Sequence, residues 1–163
     1  MPFICKLCEK KSTSHSLEIY DETPERIVYY TCPEKATNNE TAGIVAHYDG
    51  VLGEMNGKDW IWILDLKDFG MKHFLEIGNA IALARLITEK YSTHLQKIII
   101  INVNSYTNVI YNIVKPFLST KIQSIVSFPP PLDPPLGKVI SEAEEPKAAT
   151  CRKEYHEGRT CNL

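Results

Sequence analysis

Two cysteines near the N-terminus have the spacing of a metal or redox motif. Cys5 and Cys8 are separated by two residues, as in one half of a tetrahedral zinc site or in a dithiol redox pair. A zinc site needs two further ligands, and the remaining cysteines, Cys32, Cys151 and Cys161, lie far along the chain. The histidines form no pair at ligand spacing in the sequence. We therefore interpret Cys5 and Cys8 as structural thiols and predict no metal and no cofactor, with a metal or redox role as the alternative.

Two carboxylates follow an apolar run and form the second candidate for chemistry. Asp65 and Asp68 stand where a buried strand ends, which is where α/β enzymes place catalytic groups. A nucleophile elbow or a phosphate-binding glycine loop would support catalysis, and the sequence has neither. An aspartate at a strand–helix turn also binds backbone amides. We favour that structural role, so these residues do not point to an enzyme.

Two apolar stripes could form either a core or the wall of a ligand pocket. Trp60, Trp62 and Leu64 alternate along a predicted strand, so their side chains share one face. A second stripe follows helical spacing and ends close to Pro116. The spacing alone does not decide between core packing and a helix that opens as a lid. The helical stripe consists of Tyr106, Ile110, Ile113, Val114 and Phe117.

Strands and helices alternate along the part of the chain that carries these residues. The alternation predicts βαβ units and therefore an α/β fold with a mostly parallel sheet flanked by helices. Proline at position 116 should break the third long helix near Lys115. The predicted strands are Arg26–Tyr30, Asp59–Leu66, Lys97–Val103 and Ile125–Phe128. The predicted helices are Thr41–Met55, Met71–Tyr91, a helix capped by Asn104 and Ser105, and Thr120–Ser124.

Composition and charge separate three segments and exclude some partners. We interpret residues 1–20 as an irregular lead-in, 21–128 as the folded domain and 129–163 as a proline-rich, disordered tail, because five of the ten prolines stand between positions 129 and 135. Residues 1–65 carry 6 Lys and Arg against 11 Asp and Glu, whereas residues 66–128 carry 7 against 3. This balance argues against a nucleic-acid partner and is compatible with an anionic membrane surface. Without a signal peptide or a transmembrane run, we expect a cytoplasmic protein.

One longer pattern resembles a known family. The run Ile63-Leu64-Asp65-Leu66-Lys67-Asp68-Phe69 is followed by a long helix, by Ile99-Ile100-Ile101-Asn102 and by Val114-Lys115-Pro116-Phe117-Leu118. This order is similar to the CRAL-TRIO lipid-binding domain of phosphatidylinositol- and tocopherol-transfer proteins. Relative to that family, we expect the chain to lack the N-terminal helical module and the C-terminal closing segment. The sequence Tyr91-Ser92-Thr93-His94 also replaces the family's phosphoinositide motif, so the resemblance does not imply specific phosphoinositide recognition.

The resemblance implies a carrier with one apolar pocket under a mobile gate helix. That gate would extend from about Ser105 to Ser124, and Lys97, Lys115 and Lys121 would touch an anionic membrane transiently during loading. The ligand would be a lipid or a small hydrophobic molecule. The resemblance assigns the pocket lining to Trp60, Trp62, Leu64, Ile98, Ile100, Tyr106, Ile110, Ile113, Val114, Phe117 and Leu118.

A second hypothesis keeps the fold and removes the ligand. Some divergent relatives bind small GTPases and other signalling proteins, and a proline-rich tail suits partners of the SH3 type. The sequence therefore leaves two functions open: carriage or presentation of a hydrophobic molecule with peripheral membrane contact, or a protein-interaction module that has lost lipid transfer.

Overall fold

A five-stranded sheet organises the part of the chain that the structure, a computed structural model, describes, namely residues 3–11 and 14–130. The strands are β1 (Glu18–Glu22), β2 (Arg26–Thr31), β3 (Asp59–Asp65), β4 (Leu95–Ile101) and β5 (Val126–Ser127). They lie side by side in chain order, with β1 antiparallel to β2 and each later pair parallel. The predicted α/β class with a mostly parallel sheet is therefore confirmed.

Helices connect the parallel strands and pack on one face of the sheet. The α-helices are α1 (Lys6–Lys10), α2 (Thr41–Gly53), α3 (Met71–Leu75), α4 (Ile77–Leu86), α5 (Ser105–Val114) and α6 (Thr120–Ile125). Two 3₁₀ turns lie at Pro33–Lys35 and Lys115–Phe117, and a π-helical turn lies at Ile87–Tyr91. Tyr48 of α2, Leu86 of α4 and Ile122 of α6 belong to one core cluster with Trp60 and Ile98 of the sheet. Right-handed connections between adjacent parallel strands produce this one-sided arrangement.

The central strand β3 is buried on both faces, as its unbroken apolar run predicts. Trp60 and Trp62 point towards the helices and are 1 % and 8 % exposed, while Ile61 and Ile63 on the opposite face are 3 % and 0 % exposed. The register places Trp62 beside Ile98 of β4. The helix-facing side of β3 and β4 therefore presents a continuous apolar surface.

The helix α2 begins at Thr41, as the sequence predicts, and ends at Gly53, before the predicted end at Met55. The Glu40 carboxylate accepts hydrogen bonds from the backbone N–H groups of Ala42 (3.2 Å) and Gly43 (2.8 Å), and so caps the first turn. After the helix, Asn56 and Gly57 adopt positive φ angles of 51° and 79°, a conformation that glycine adopts at little cost. This turn reverses the chain into β3.

The first twenty residues are more ordered than predicted. The expected irregular lead-in contains α1 and most of β1, and Arg26–Tyr30 is therefore the second strand, not the first. The residues of β1 are exposed, with one half-buried exception. Such an edge strand lacks the apolar alternation by which strands are recognised, because only one of its sides meets the sheet.

The single helix predicted over Met71–Tyr91 is divided. It is interrupted at Glu76, whose φ and ψ are −97° and 23°, and its last turn has the wider π-helical winding. The apolar residues keep their helical spacing across the interruption, so the pattern does not reveal it.

The predicted break at Pro116 is confirmed. The helix α5 starts at the Asn104 cap, whose side-chain oxygen accepts from the Tyr106 N–H at 3.0 Å, and it ends at Val114, where Lys115–Phe117 form a 3₁₀ turn. Proline cannot donate to a helical carbonyl and clashes with the preceding turn. Among the described residues, no helix combines the length and the apolar character needed to cross a membrane. Most of the predicted tail, residues 131–163, lies outside the described residues.

Candidate functional site: an apolar cavity beneath helix α5

The helix-facing side of the sheet forms the floor of an apolar cavity of about 200 Å³. Trp62 and Leu64 of β3 line it, together with their register neighbours Ile98 and Ile100 of β4. The volume lies between that of a dry cavity that admits benzene, about 150 Å³, and the lower limit of common ligand pockets, about 300 Å³. As it stands, the cavity has room for one ring-sized apolar group.

The polar atoms beside this floor are satisfied within the protein. The Trp62 indole N–H donates to the Thr31 hydroxyl at 2.9 Å, and that hydroxyl also bonds to the Tyr48 hydroxyl at 3.0 Å. Burial raises the pKa of Tyr48 well above its usual range, so the phenol stays protonated. The floor therefore offers an occupant contact area rather than hydrogen bonds.

Helices supply the opposite walls. Leu83 and Ala84 of α4 and Ile110 and Val114 of α5 line the cavity, and Leu118 closes it beyond the proline break. These residues come from two crossovers on the same side of the sheet, so the cavity lies between the sheet and α4 and α5.

The helix α5 is held at its ends and is thinly packed between them. Thr107 is its single buried residue, while Val109 and Ile113 are 47 % and 37 % exposed. The Asn104 amide donates to the Phe69 carbonyl at 2.9 Å before the helix, and the Thr88 hydroxyl donates to the Phe117 carbonyl at 3.2 Å after it. A segment with few buried apolar contacts opens more easily than the core.

The predicted pocket residues fall into two groups. Seven of them line the cavity: Trp62, Leu64, Ile98, Ile100, Ile110, Val114 and Leu118. The other four, Trp60, Tyr106, Ile113 and Phe117, are not among the described residues that line it. Trp60 lies deeper in the core and donates to the Tyr91 carbonyl at 3.1 Å. The ring of Tyr106 packs on Phe74 at 6.3 Å, and the ring of Phe117 lies 4.8 Å from the Arg85 guanidinium carbon.

Sequence reasoning missed a polar rim on the cavity. Asn39, which precedes α2, donates to the Glu76 carboxylate at 3.2 Å, and Asn79 of α4 donates to the Asn39 carbonyl at 3.1 Å. The Thr41 hydroxyl donates to the Asn79 side-chain oxygen at 2.5 Å. These bonds join α2 to α4 at the edge of the cavity. No local signal in the sequence connects residues that lie about forty positions apart.

A buried histidine also lines this rim. The His73 Nε2 lies 3.3 Å from the Glu34 carboxylate, and its Nδ1 accepts from the Gly70 N–H at 3.1 Å. Burial lowers the pKa of His73, with the Lys72 charge acting in the same direction. Because its Nδ1 accepts a hydrogen bond, His73 has the geometry of a neutral imidazole.

The three lysines predicted to touch a membrane occupy different surroundings. Lys115 is exposed in the turn after α5. Lys121 donates to the carbonyls of Ser92 (2.7 Å) and Thr93 (2.9 Å), which joins α6 to the turn before β4. Lys97 precedes Ile98 in β4 and so points to the sheet face opposite the cavity.

The two aspartates do not form a pair of catalytic carboxylates. Asp65 is buried and accepts from the Tyr30 hydroxyl (2.6 Å), the Asn102 amide (2.7 Å) and the Lys67 N–H (2.8 Å). Asp68 is exposed and has a positive φ of 57°. The carboxylate of Asp65 thus ties the ends of β2, β3 and β4 together, which is the structural role favoured by the sequence.

A second cluster brings together residues that the sequence keeps apart. The ligand atoms of Cys5, Cys8, His15 and His47 all lie within 4.8 Å of one another. The histidines form no pair at ligand spacing in the sequence, but the fold brings His15 and His47 together beside the two thiols. Two thiols and two imidazoles are a set that could hold a metal ion.

The comparisons with known proteins agree with this architecture. The sequence model of the CRAL/TRIO domain matches residues 44–146. The chain belongs to the CRAL/TRIO domain family. The predicted resemblance is therefore confirmed. No curated protein matches the sequence.

A solved structure supports the same fold. The crystal structure of Sfh5, a Sec14-like CRAL-TRIO protein, superimposes with a TM-score of 0.55 at 11 % sequence identity. The match covers 69 % of this chain and 47 % of that chain. The likeness shows a shared CRAL/TRIO fold, and this chain spans about half the length of the protein it resembles.

Proposed function

We propose that this protein binds and carries or presents a lipid or another small hydrophobic molecule in the cavity beneath α5. The observation that supports this most directly is an almost wholly apolar cavity in a member of a lipid-binding family. Burial of an apolar group there contributes roughly 25 cal/mol for each Å² removed from water. The family's general use of hydrophobic ligands points the same way.

The chemistry of the lining favours an uncharged apolar group. The cavity floor offers Trp62, Leu64 and two isoleucines, and the hydroxyl of Thr31 is already bonded to neighbours. A charged group placed there would lose its hydration without a partner, at a cost of several kcal/mol. We infer that the apolar part of the ligand enters the cavity while any charged headgroup stays at the polar rim.

Loading of a larger ligand requires α5 to move. About 200 Å³ does not hold an extended acyl chain together with a headgroup. The helix is anchored at Asn104 and at Phe117, and Pro116 interrupts the hydrogen-bond ladder between α5 and α6. An outward rotation of α5 about these ends would enlarge the cavity without breaking the sheet.

The outer surface of α5 and α3 would meet a membrane during loading. Val109 and Ile113 lie one turn apart on α5 and are exposed, and so are Met71 and Leu75 of α3. Lys115 follows them at the end of the helix. Exposed apolar side chains beside a lysine suit transient contact with an anionic bilayer.

Binding rather than catalysis is also what the polar groups support. Both oxygens of the buried Asp65 carboxylate already accept hydrogen bonds, from the Tyr30 hydroxyl, the Asn102 amide and a backbone N–H. A catalytic base needs an oxygen that reaches the substrate. We therefore propose a carrier and not an enzyme.

Mass spectrometry of organic extracts from the purified protein tests the proposal, together with uptake of a pyrene-labelled fatty alcohol. The test variant is Ala84→Phe, since Ala84 lies on the cavity wall and is 4 % exposed. The matched control is Ala46→Phe, since Ala46 lies on the exposed side of α2. We expect Ala84→Phe to abolish uptake and Ala46→Phe to preserve it. Absence of any co-purified hydrophobic molecule together with no uptake by the wild type would refute the proposal.

A protein-interaction module on the same fold is the second candidate. The small volume of the cavity favours it, since about 200 Å³ is below the size of common ligand pockets. Proline-rich sequence at positions 129–135 suits a partner of the SH3 type. A defined partner that Ala84→Phe still recovers in a pull-down, with no lipid in the extract, would support this function over the first.

A further inference from the structure

The cluster of Cys5, Cys8, His15 and His47 joins three separate parts of the fold. Cys5 and Cys8 lie at the start and in the middle of α1, His15 lies in the loop before β1, and His47 lies in α2. Both histidines are buried and both cysteines are half-buried. The cluster therefore connects the N-terminal segment (residues 3–11 and 14–17) to the helix that precedes β3.

Three sulfur–nitrogen distances in the cluster match the edges of a tetrahedral metal site, and all four ligand atoms lie within 4.8 Å of one another. The His15 Nδ1 lies 3.5 Å from the Cys5 sulfur and 3.4 Å from the Cys8 sulfur, and the His47 Nδ1 lies 3.8 Å from the Cys8 sulfur. A zinc ion at its usual bond lengths holds a thiolate sulfur and an imidazole nitrogen about 3.6 Å apart along the edge of the tetrahedron. The side chains thus need little movement to bind an ion.

Hydrogen bonding alone is a poor reason for this arrangement. A neutral imidazole nitrogen has one lone pair, and the Nδ1 of His15 faces two sulfurs, which are weak donors. The Nε2 atoms of His15 and His47 are buried without a hydrogen-bond partner in the described residues. Two buried imidazoles and two thiols that share only weak bonds need another source of stabilisation.

Within the N-terminal segment, Leu17 is a core residue, but residues 3–11 have little apolar burial to hold them in place. No residue of α1 is buried, and Phe3, Ile4 and Leu7 are all exposed. The segment nonetheless packs closely on α2, where the ring of Phe3 leaves no space for a side chain at Gly50 and lies 5.9 Å from the His47 ring. Because ordering a chain costs conformational entropy, this packing requires an additional attraction.

We propose that Cys5, Cys8, His15 and His47 bind one Zn²⁺ ion, which fixes the N-terminal segment on α2. Two thiolates and two imidazoles at tetrahedral distances are the ligands that zinc prefers in structural sites. All four positions of the ion are then filled by protein, so the site stabilises the fold and has no open position for catalysis. Both thiols lose their protons when the ion binds.

The site also borders the cavity. His15 and Ser16 line the cavity, and hydrogen bonds from the Thr37 and Asn38 amides to the Ser14 carbonyl, at 3.1 Å and 2.9 Å, join this loop to the segment before α2. Zinc would therefore order one wall of the cavity as well as the N-terminal segment.

Elemental analysis of the full-length protein, purified without chelator, tests the proposal. We expect about one Zn²⁺ per chain, and Co²⁺ substitution should give the visible absorption of tetrahedral cobalt with thiolate charge transfer. The variant Cys8→Ser should reduce bound zinc at least tenfold, whereas Cys32→Ser, at a buried cysteine outside the cluster, should keep it.

A ligand exchange keeps the test decisive if Cys8→Ser does not fold. His47→Cys replaces one ligand by another, so it should retain zinc and raise the thiolate-to-cobalt charge-transfer intensity by about half; His47→Ala should lose the ion. Each of three results would overturn the proposal: substoichiometric metal in the wild type, a Cys5–Cys8 disulfide in the purified protein, or equal metal loss in Cys8→Ser and Cys32→Ser.

Discussion

A charge placed on the inner face of α5 gives a sharp test of the cavity. Ile110 lines the cavity, and its neighbour Val109 points outward from the same helix with 47 % exposure. Ile110→Asp and Val109→Asp therefore introduce the same carboxyl group on two different faces of one helix, because successive helical residues are about 100° apart. Only the first should meet a bound ligand.

The expected loss of affinity follows from the pKa of aspartate. To face an apolar ligand, the carboxyl must take up a proton, and its ordinary pKa is about 3.9. At pH 7 this costs about 4 kcal/mol, at about 1.36 kcal/mol for each pH unit. If the carboxylate turns to water instead, the ligand loses the contact of the isoleucine, about 1.5–3 kcal/mol. Affinity for an uncharged pyrene-labelled alcohol should therefore fall by about 10- to 1,000-fold.

The sign of the pH dependence distinguishes this cause from general damage. In Ile110→Asp the pKa of the new carboxyl is higher in the complex than in the free protein, so the penalty is present at neutral pH and declines as the pH falls. Affinity should recover by up to about tenfold between pH 7 and pH 6. Ile110→Asn has no titrating group and should show a loss without this recovery.

Fluorescence titration in the absence of vesicles measures these affinities, and urea unfolding checks that each variant is folded. Val109→Asp should bind within about threefold of the wild type, since its carboxylate stays in water. Equal losses in Val109→Asp and Ile110→Asp, or unchanged binding by a folded Ile110→Asp, would refute the assignment of the cavity as the ligand site.

Three further predictions concern the surroundings of the cavity. Thr31→Val leaves the buried Trp62 N–H without its acceptor and should lower the free energy of unfolding by about 1–3 kcal/mol in urea denaturation; an unchanged midpoint would contradict this. Asp65→Asn places an amide group opposite one of three hydrogen-bond donors and should lower the free energy of unfolding by a similar amount. The control Asp68→Asn, at an exposed position, should change the free energy of unfolding by less than about 0.5 kcal/mol. Chelation of zinc should accelerate amide hydrogen exchange in the N-terminal segment while β3 stays protected, and uniform acceleration or none would count against a local role of the ion.

The sheet could be predicted from the sequence because its central strands are buried on both faces. Residues 60–64 and 98–101 are runs of large apolar residues bounded by polar ones, and such runs identify parallel strands. The break of the helix near Pro116 could also be predicted from the sequence, because a single proline causes it. The elements that escaped prediction, α1 and β1, have little or no apolar burial to mark them.

Sequence periodicity found part of the cavity lining and missed the cluster of Cys5, Cys8, His15 and His47, for one physical reason. Periodicity assigns Trp62 and Ile110 to apolar faces, but it does not show how deep each residue lies. Trp60 has the same periodicity as Trp62, yet it does not line the cavity and its indole N–H donates to the Tyr91 carbonyl. The pairing of Cys8 with His47 depends on how α1 returns to α2, which is a property of the whole fold.

The order of the strands has a consequence for how the protein is made. Because each strand of the sheet lies next to the one before it in the chain, no strand has to enter between two that have already paired. A ribosome releases β1 and β2 first, and each later strand then adds to a free edge. The sheet is therefore able to grow in the direction of synthesis, one crossover at a time.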